Sequence, residues 1–159
     1  MTFLLLGANL GDRVATLRRA VQLVTERIGT ILLQSCLYET APWGVTDQPT
    51  FLNQVIAVET ELEPEAVLAQ TQAIEQELGR VRLEKWGARI IDIDILYCDQ
   101  RIIQTATLTI PHPYLHLRRF TLVPLAEIAP GFIHPILAKT TLDLLADCPD
   151  KNEVEIFNL

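Results

Sequence analysis

The segment KWGARIIDIDILY, residues 85–97, sets two aspartates, Asp92 and Asp94, inside a run of isoleucines. An unpaired charge is costly to bury, so the segment cannot be core on every side. A strand resolves the conflict, because its side chains alternate between two faces. Ile91, Ile93, Ile95 and Tyr97 then fall on one face, against a core, and Ile90, Asp92, Asp94 and Leu96 on the other. Both carboxylates aim the same way, roughly 7 Å apart along the strand. They repel each other and favour a cation beside them. Magnesium suits such a pair, since it takes one or two carboxylates and fills its shell with water and phosphate oxygens. The same DxD pattern also arises where aspartates simply pair with arginines or face solvent. Arg80, Arg82 and Arg89 lie just before the strand, in a stretch with Trp86 and Gly87. Planar, permanently charged guanidinium groups match phosphate oxygens. Carboxylates for a metal and arginines on a loop are the equipment of phosphoryl transfer.

Outward from this strand the chain reads as alternating elements. TFLLLG (2–7) predicts a buried strand. Val14, Leu17, Val21, Val24 and Ile28 recur at helical spacing and predict a helix over 12–28, closed by Gly29. TILLQSCLYET (30–40) and FLNQVIAVETEL (51–62) predict strands on either side of the proline-containing loop APWGVTDQPT. Pro64 opens a second helix, PEAVLAQTQAIEQELGR, and RIIDIDILYC (89–98) is the last strand of the series. Strand, helix, strand, strand, helix, strand is the ferredoxin-like βαββαβ order, an α+β fold with both helices on one face of an antiparallel sheet. Short strands in RII and TLTI, a proline-rich turn (IPHPYLH), the segment RRFTLVPLAEIAP and a short helix near TTLDLLAD would cover part of the other face. One domain over 1–159 is expected.

Composition narrows the function. An apolar fraction of 49% suits a packed globular chain, not a disordered one. The net charge of −7 argues against nucleic acid as a partner, which would call for a basic face. No stretch approaches a membrane span, and the N-terminus lacks a basic leader. Cys36, Cys98 and Cys148 are widely spaced, without metal-like spacing, which fits a reduced cytoplasmic protein.

KWGARIIDIDIL closely resembles the signature of the 6-hydroxymethyl-7,8-dihydropterin pyrophosphokinase family of folate biosynthesis. LGANLGD, YETAPWGVTDQPTFLNQV, ELGRVR and IPHPYLHLRRFTLVPLAEIAP resemble the same family in the same order, from about residue 3 to residue 135. The resemblance implies transfer of the β,γ-pyrophosphoryl group of ATP to the hydroxymethyl group of the pterin, with release of AMP. It implies two magnesium ions on Asp92 and Asp94, with Arg82 and Arg89 completing the catalytic set. For the pterin it implies a sandwich between Phe51 and Phe120, an edge contact from Asn53, and contacts from Thr40, Ala41, Trp43 and Asp92. For ATP it implies Gln72, Glu75, Arg80, Arg82 and Trp86. Arg89, Ile95, His112 and Arg118 belong to the same implied set. Small-molecule substrates, no membrane and a monomer are expected.

Other readings of the residues stay open at this stage. Phe51 and Phe120 can be plain core, Asn53 an edge hydrogen-bonder, and Gln72 and Glu75 a solvated helix face. His112 and His116 are four apart, but Pro111 and Pro113 flank His112 and argue for extended chain over a zinc-binding helix. His112 then serves as a phosphate donor. An RNA-recognition domain, a different magnesium-dependent transferase and a ligand-sensing domain are the rival functions. Segments 41–50 and 80–88 are long for connections and predict loops that close over bound substrate.

Overall fold

A computed structural model of the chain describes residues 1–40, 50–79 and 90–159. The buried run at the N-terminus forms β1 (Thr2–Ala8), an interior strand of an antiparallel sheet. Asp12 caps the next element, its carboxylate accepting from the Ala15 N–H, and α1 runs Arg13–Arg27. Gly29 follows because the chain passes the next strand too closely for a side chain. A Cβ there would lie 2.1 Å from the Glu59 carbonyl oxygen.

The expected strand over 30–40 is two, β2 (Thr30–Gln34) and β3 (Tyr38–Thr40), both paired with β4 (Phe51–Glu59). The break has a polar cause. The Ser35 hydroxyl accepts from the Val55 N–H, and the Cys36 N–H turns away to the Glu127 carboxylate at 3.0 Å. Burial and the Glu127 carboxylate push the Tyr38 phenol up, and its hydroxyl donates to that same carboxylate at 2.6 Å.

Pro64 opens α2 (Pro64–Gly79), and β5 (Asp92–Cys98) returns beside β1. A small hairpin, β6 (Ile103–Gln104) and β7 (Thr109–Ile110), precedes a 3-10 turn at Leu115–Leu117. RRFTLVPLAEIAP, which carries no clear helical signal, forms α3 (Arg119–Ile128). Pro124 inside it masks the pattern, since proline removes a helical N–H. Next come α4 (Thr141–Asp147) and a strand without a sequence signal, β8 (Val154–Ile156), which pairs with β3.

The sheet order is β5-β1-β4-β3-β8, with β2 also on β4. The fold is α+β, with four helices around an antiparallel sheet among the described residues. Leu17, Leu23 and Val24 of α1 and Val67 and Ile74 of α2 pack with Leu4, Leu6, Ile93 and Ile95 on one face, as expected. Leu122 and Leu125 of α3 and Leu144 of α4 pack on the other face with Phe3, Leu5, Val55 and Tyr97.

Tyr97 corrects the alternation argument. It sits on the α3 face, opposite Ile91, Ile93 and Ile95. The register between β1 and β5 slips, pairing Phe3 with Tyr97 but Leu4 with Ile95, so Leu96 is an extra residue. A bulge of this kind reverses side-chain alternation beyond it. Tyr97 thereby joins Phe3 and Phe132 in an aromatic cluster, with ring centroids 5.9 Å and 4.4 Å away.

Candidate active site

α3 and α4 cover only part of their face, and the uncovered end is a cavity of about 580 Å³. Strand register builds its floor. Gly7 pairs with Asp92 on one side and Asn53 on the other, and Asn53 pairs with Tyr38. One row across the sheet therefore reads Asp92, Gly7, Asn53. Leu5 pairs with Asp94 one step along, and Thr40 pairs with Phe51 at the far edge. Because Gly7 has no side chain, the middle of the row is flat and open.

The lining includes Thr40, Phe51, Asn53, Asp92, Asp94, Arg118 and Phe120, all named from the sequence. It adds Leu5, Gly7, Tyr114 and Leu117, which were not. A glycine within a buried strand was the available signal for Gly7, since it often marks a close approach by a ligand or another chain segment. Tyr114 and Leu117 had no such signal; the turn around Leu115 brings them in.

Two polar groups in this wall lack partners among the described residues. The Thr40 hydroxyl is buried with none. Asn53 is 5% exposed, and its amide makes no hydrogen bond there. Buried polar groups are normally satisfied, so the Thr40 hydroxyl points to a polar ligand edge, and the Asn53 amide lines the same cavity. Asp94 forms no ion pair among the described residues, and Arg80, Arg82 and Arg89 lie outside them. The Arg118 guanidinium lies between two rings, 5.4 Å from the centroid of Tyr114 and 5.7 Å from that of Phe120.

α2 serves the site from behind. The Glu75 carboxylate accepts from the Ile93 N–H at 2.9 Å, holding the strand edge between the two aspartates. Gln72, one turn earlier, is exposed. Ile95 is buried in the helix-side core, so its side chain does not reach the cavity. His112 and His116 do not share a helix: His116 lies in the 3-10 turn and His112 precedes it. The His112 Nδ1 accepts from the Tyr114 N–H, which leaves Nε2 as the donor. Burial pushes this imidazole below the usual histidine range; Asp94 opposes that shift and Arg118 adds to it.

A family model described as 7,8-dihydro-6-hydroxymethylpterin-pyrophosphokinase (HPPK) matches residues 3–130. The chain belongs to the HPPK family. It is 44% identical to the 2-amino-4-hydroxy-6-hydroxymethyldihydropteridine pyrophosphokinase of Methylorubrum extorquens over 132 residues, 82% of this chain and 84% of that one. The enzyme of the same name from Aquifex aeolicus is 42% identical over 137 residues, 86% of this chain and 85% of the relative. Among solved structures, a Plasmodium falciparum HPPK-DHPS triple mutant aligns with a TM-score of 0.76 at 20% identity, and this likeness concerns the fold alone. The alignment covers 92% of this chain and 42% of that longer protein.

Within the HPPK framework, Ala41, Trp43, Arg80, Arg82, Trp86 and Arg89 remain to be placed; all six lie outside the described residues. The two segments expected to close over substrate fall almost wholly in the same ranges, 41–49 and 80–89.

Proposed function

We propose that this cavity is where the chain, an ATP-dependent pyrophosphokinase of folate biosynthesis, joins its two substrates. The pterin hydroxymethyl oxygen attacks the β-phosphorus of ATP. The bond from that phosphorus to the oxygen bridging the α-phosphate breaks, AMP leaves with that oxygen, and the hydroxyl proton is lost. One observation carries the assignment: paired carboxylates, the Asn53 amide and a Thr40 hydroxyl without a partner among the described residues line one cavity whose floor is a glycine.

The pterin is flat, with a polar edge. It fits over Gly7, between the rings of Phe51 and Phe120. The Asn53 amide offers a donor and an acceptor together to its edge, and the Thr40 hydroxyl lies beyond. Asp92 and Asp94 fit magnesium by donor chemistry, two hard oxygen ligands in a cavity open to a phosphate chain. No group of three histidine, cysteine, aspartate or glutamate side chains among the described residues offers a fuller protein cage. Two bound ions would neutralise charge on the transferring phosphates. Arg118, beside its two neighbouring rings, lines the cavity and would meet the phosphates, while His112 lies outside the lining and would donate to them from Nε2. With the reacting groups held in line, positioning carries most of the rate.

The strand order supports a ferredoxin-like sheet with a split second strand and an added edge strand. A single-domain monomer acting in the cytoplasm fits this reading; among the described residues no helix is long and apolar enough to cross a membrane. Purified protein with ATP, magnesium and hydroxymethyldihydropterin should form AMP and the pterin diphosphate in equal amounts. AMP formation independent of the pterin would count against the assignment.

A further inference from the structure

We propose that Asp150, beyond the span matched by the family model, is a positioning residue for the cavity. The inference rests on the pyrophosphokinase reading above. Asp150 is 8% exposed, and each of its carboxylate oxygens is used. Oδ2 accepts from the Arg119 N–H at 3.1 Å, and Oδ1 from the Asn152 N–H at 3.0 Å.

The first of these bonds matters for the site. Arg119 opens α3, and the preceding residue, Arg118, supplies no side-chain cap. Helix starts leave N–H groups without partners, and a carboxylate there also suits the helix dipole. Asp150 provides it from 31 residues away. Arg118 and Phe120, the residues on either side of Arg119, both line the cavity. The carboxylate therefore grips the backbone between two lining side chains.

The chain that follows reaches the opposite wall. In β8, Val154 pairs with Thr40, another lining residue. Phe157 packs under the Arg13 guanidinium, 5.3 Å from its ring centroid, and the Phe157 N–H donates to the Leu37 carbonyl. Arg13 in turn donates to the carbonyl and hydroxyl oxygens of Thr50, next to Phe51. One short strap thus ties the segment carrying Arg118 and Phe120 to the segments carrying Thr40 and Phe51.

A purely structural tail would affect melting and leave substrate affinity alone. The test compares Asp150→Ala, Asp150→Asn and Leu144→Ala in the full chain. Leu144, on the buried side of α4, is not among the cavity-lining residues and serves as a destabilised control. Asp150→Ala should raise KM for the pterin and for ATP about three- to tenfold, the range of a lost helix cap, with a smaller change in kcat. Hydrogen exchange at the Phe120–Leu122 amides should quicken. Asp150→Asn, with one acceptor oxygen for two N–H donors, should fall between. Leu144→Ala should lower the melting temperature with KM unchanged. Wild-type KM values in both Asp150 variants, or an equal rise in KM in Leu144→Ala, would overturn the proposal. Failure of the wild type to form AMP would instead reject the reaction, and the exchange measurement would still decide whether Asp150 orders the start of α3.

Discussion

Gly7 and Asn53 are direct cross-strand partners, and a methyl group on Gly7 would lie 2.7 Å from the Asn53 amide nitrogen. The nearest obstacle is the amide itself, so Gly7→Ala must push the amide aside. The same methyl group would stand on the open floor between Asp92 and Asn53. Gly7→Ala should raise KM for the pterin about tenfold or more, equivalent to roughly 1.4 kcal/mol, with KM for ATP little changed. Steady-state kinetics with each substrate varied in turn decides this; equal effects on both substrates would contradict the pterin placement.

Asp92 and Asp94 share a strand face two residues apart, so their charges repel when no cation is bound. Asp94→Asn should abolish AMP formation while the chain stays folded. Without magnesium its melting temperature should equal or exceed that of the wild type, because the repulsion is gone. Added magnesium should raise the wild-type melting temperature in the presence of an ATP analogue and leave the variant's unmoved. Full turnover in Asp94→Asn would refute the metal assignment.

Phe120 has two duties, a face toward the cavity and a ring beside Arg118. Phe120→Ala should weaken pterin binding by about 1–3 kcal/mol, the range for a lost stacking partner. Phe120→Tyr, which keeps the ring, should lose much less. Calorimetric titration of pterin in the presence of an ATP analogue gives both values.

His134 ties acid sensitivity to the cap over the α3 face. It is 4% exposed, and its Nδ1 accepts from the Ile136 and Leu137 N–H groups, both at 3.1 Å. Burial lowers its pKa below 6.5, and the neighbouring His116 adds to the effect. The neutral form is therefore the one the fold favours, and between the folded and unfolded pKa values the unfolded chain binds more protons. This contribution to stability is complete above the unfolded value and is lost as pH falls through the folded one. The melting temperature should drop from pH 7.5 to pH 5.5, and His134→Gln should melt lower at pH 7.5 but show a shallower pH slope. Parallel slopes would show that other groups control the acid response.

Much of the fold was legible because its signals are local. Periodic apolar positions announced α1 and α2, and Asp12 and Gly29 marked the ends of α1. α3 was hidden by Pro124, and β8 by its brevity, since its three residues are held through pairing with β3. Alternation placed Asp92 and Asp94 on the cavity side correctly but misplaced Tyr97, because a bulge depends on register with a neighbouring strand.

By itself, the sequence determined which residue types this chemistry requires, their order along the chain and the elements that carry most of them. Those properties depend on neighbours a few positions away. Only the tertiary structure decided that Gly7 lies between Asp92 and Asn53, that Tyr114 joins the wall, that Ile95 faces the core, and that Asp150 caps α3. Each of these is a contact between segments distant in the chain, set by strand register and packing, and no short-range pattern encodes it.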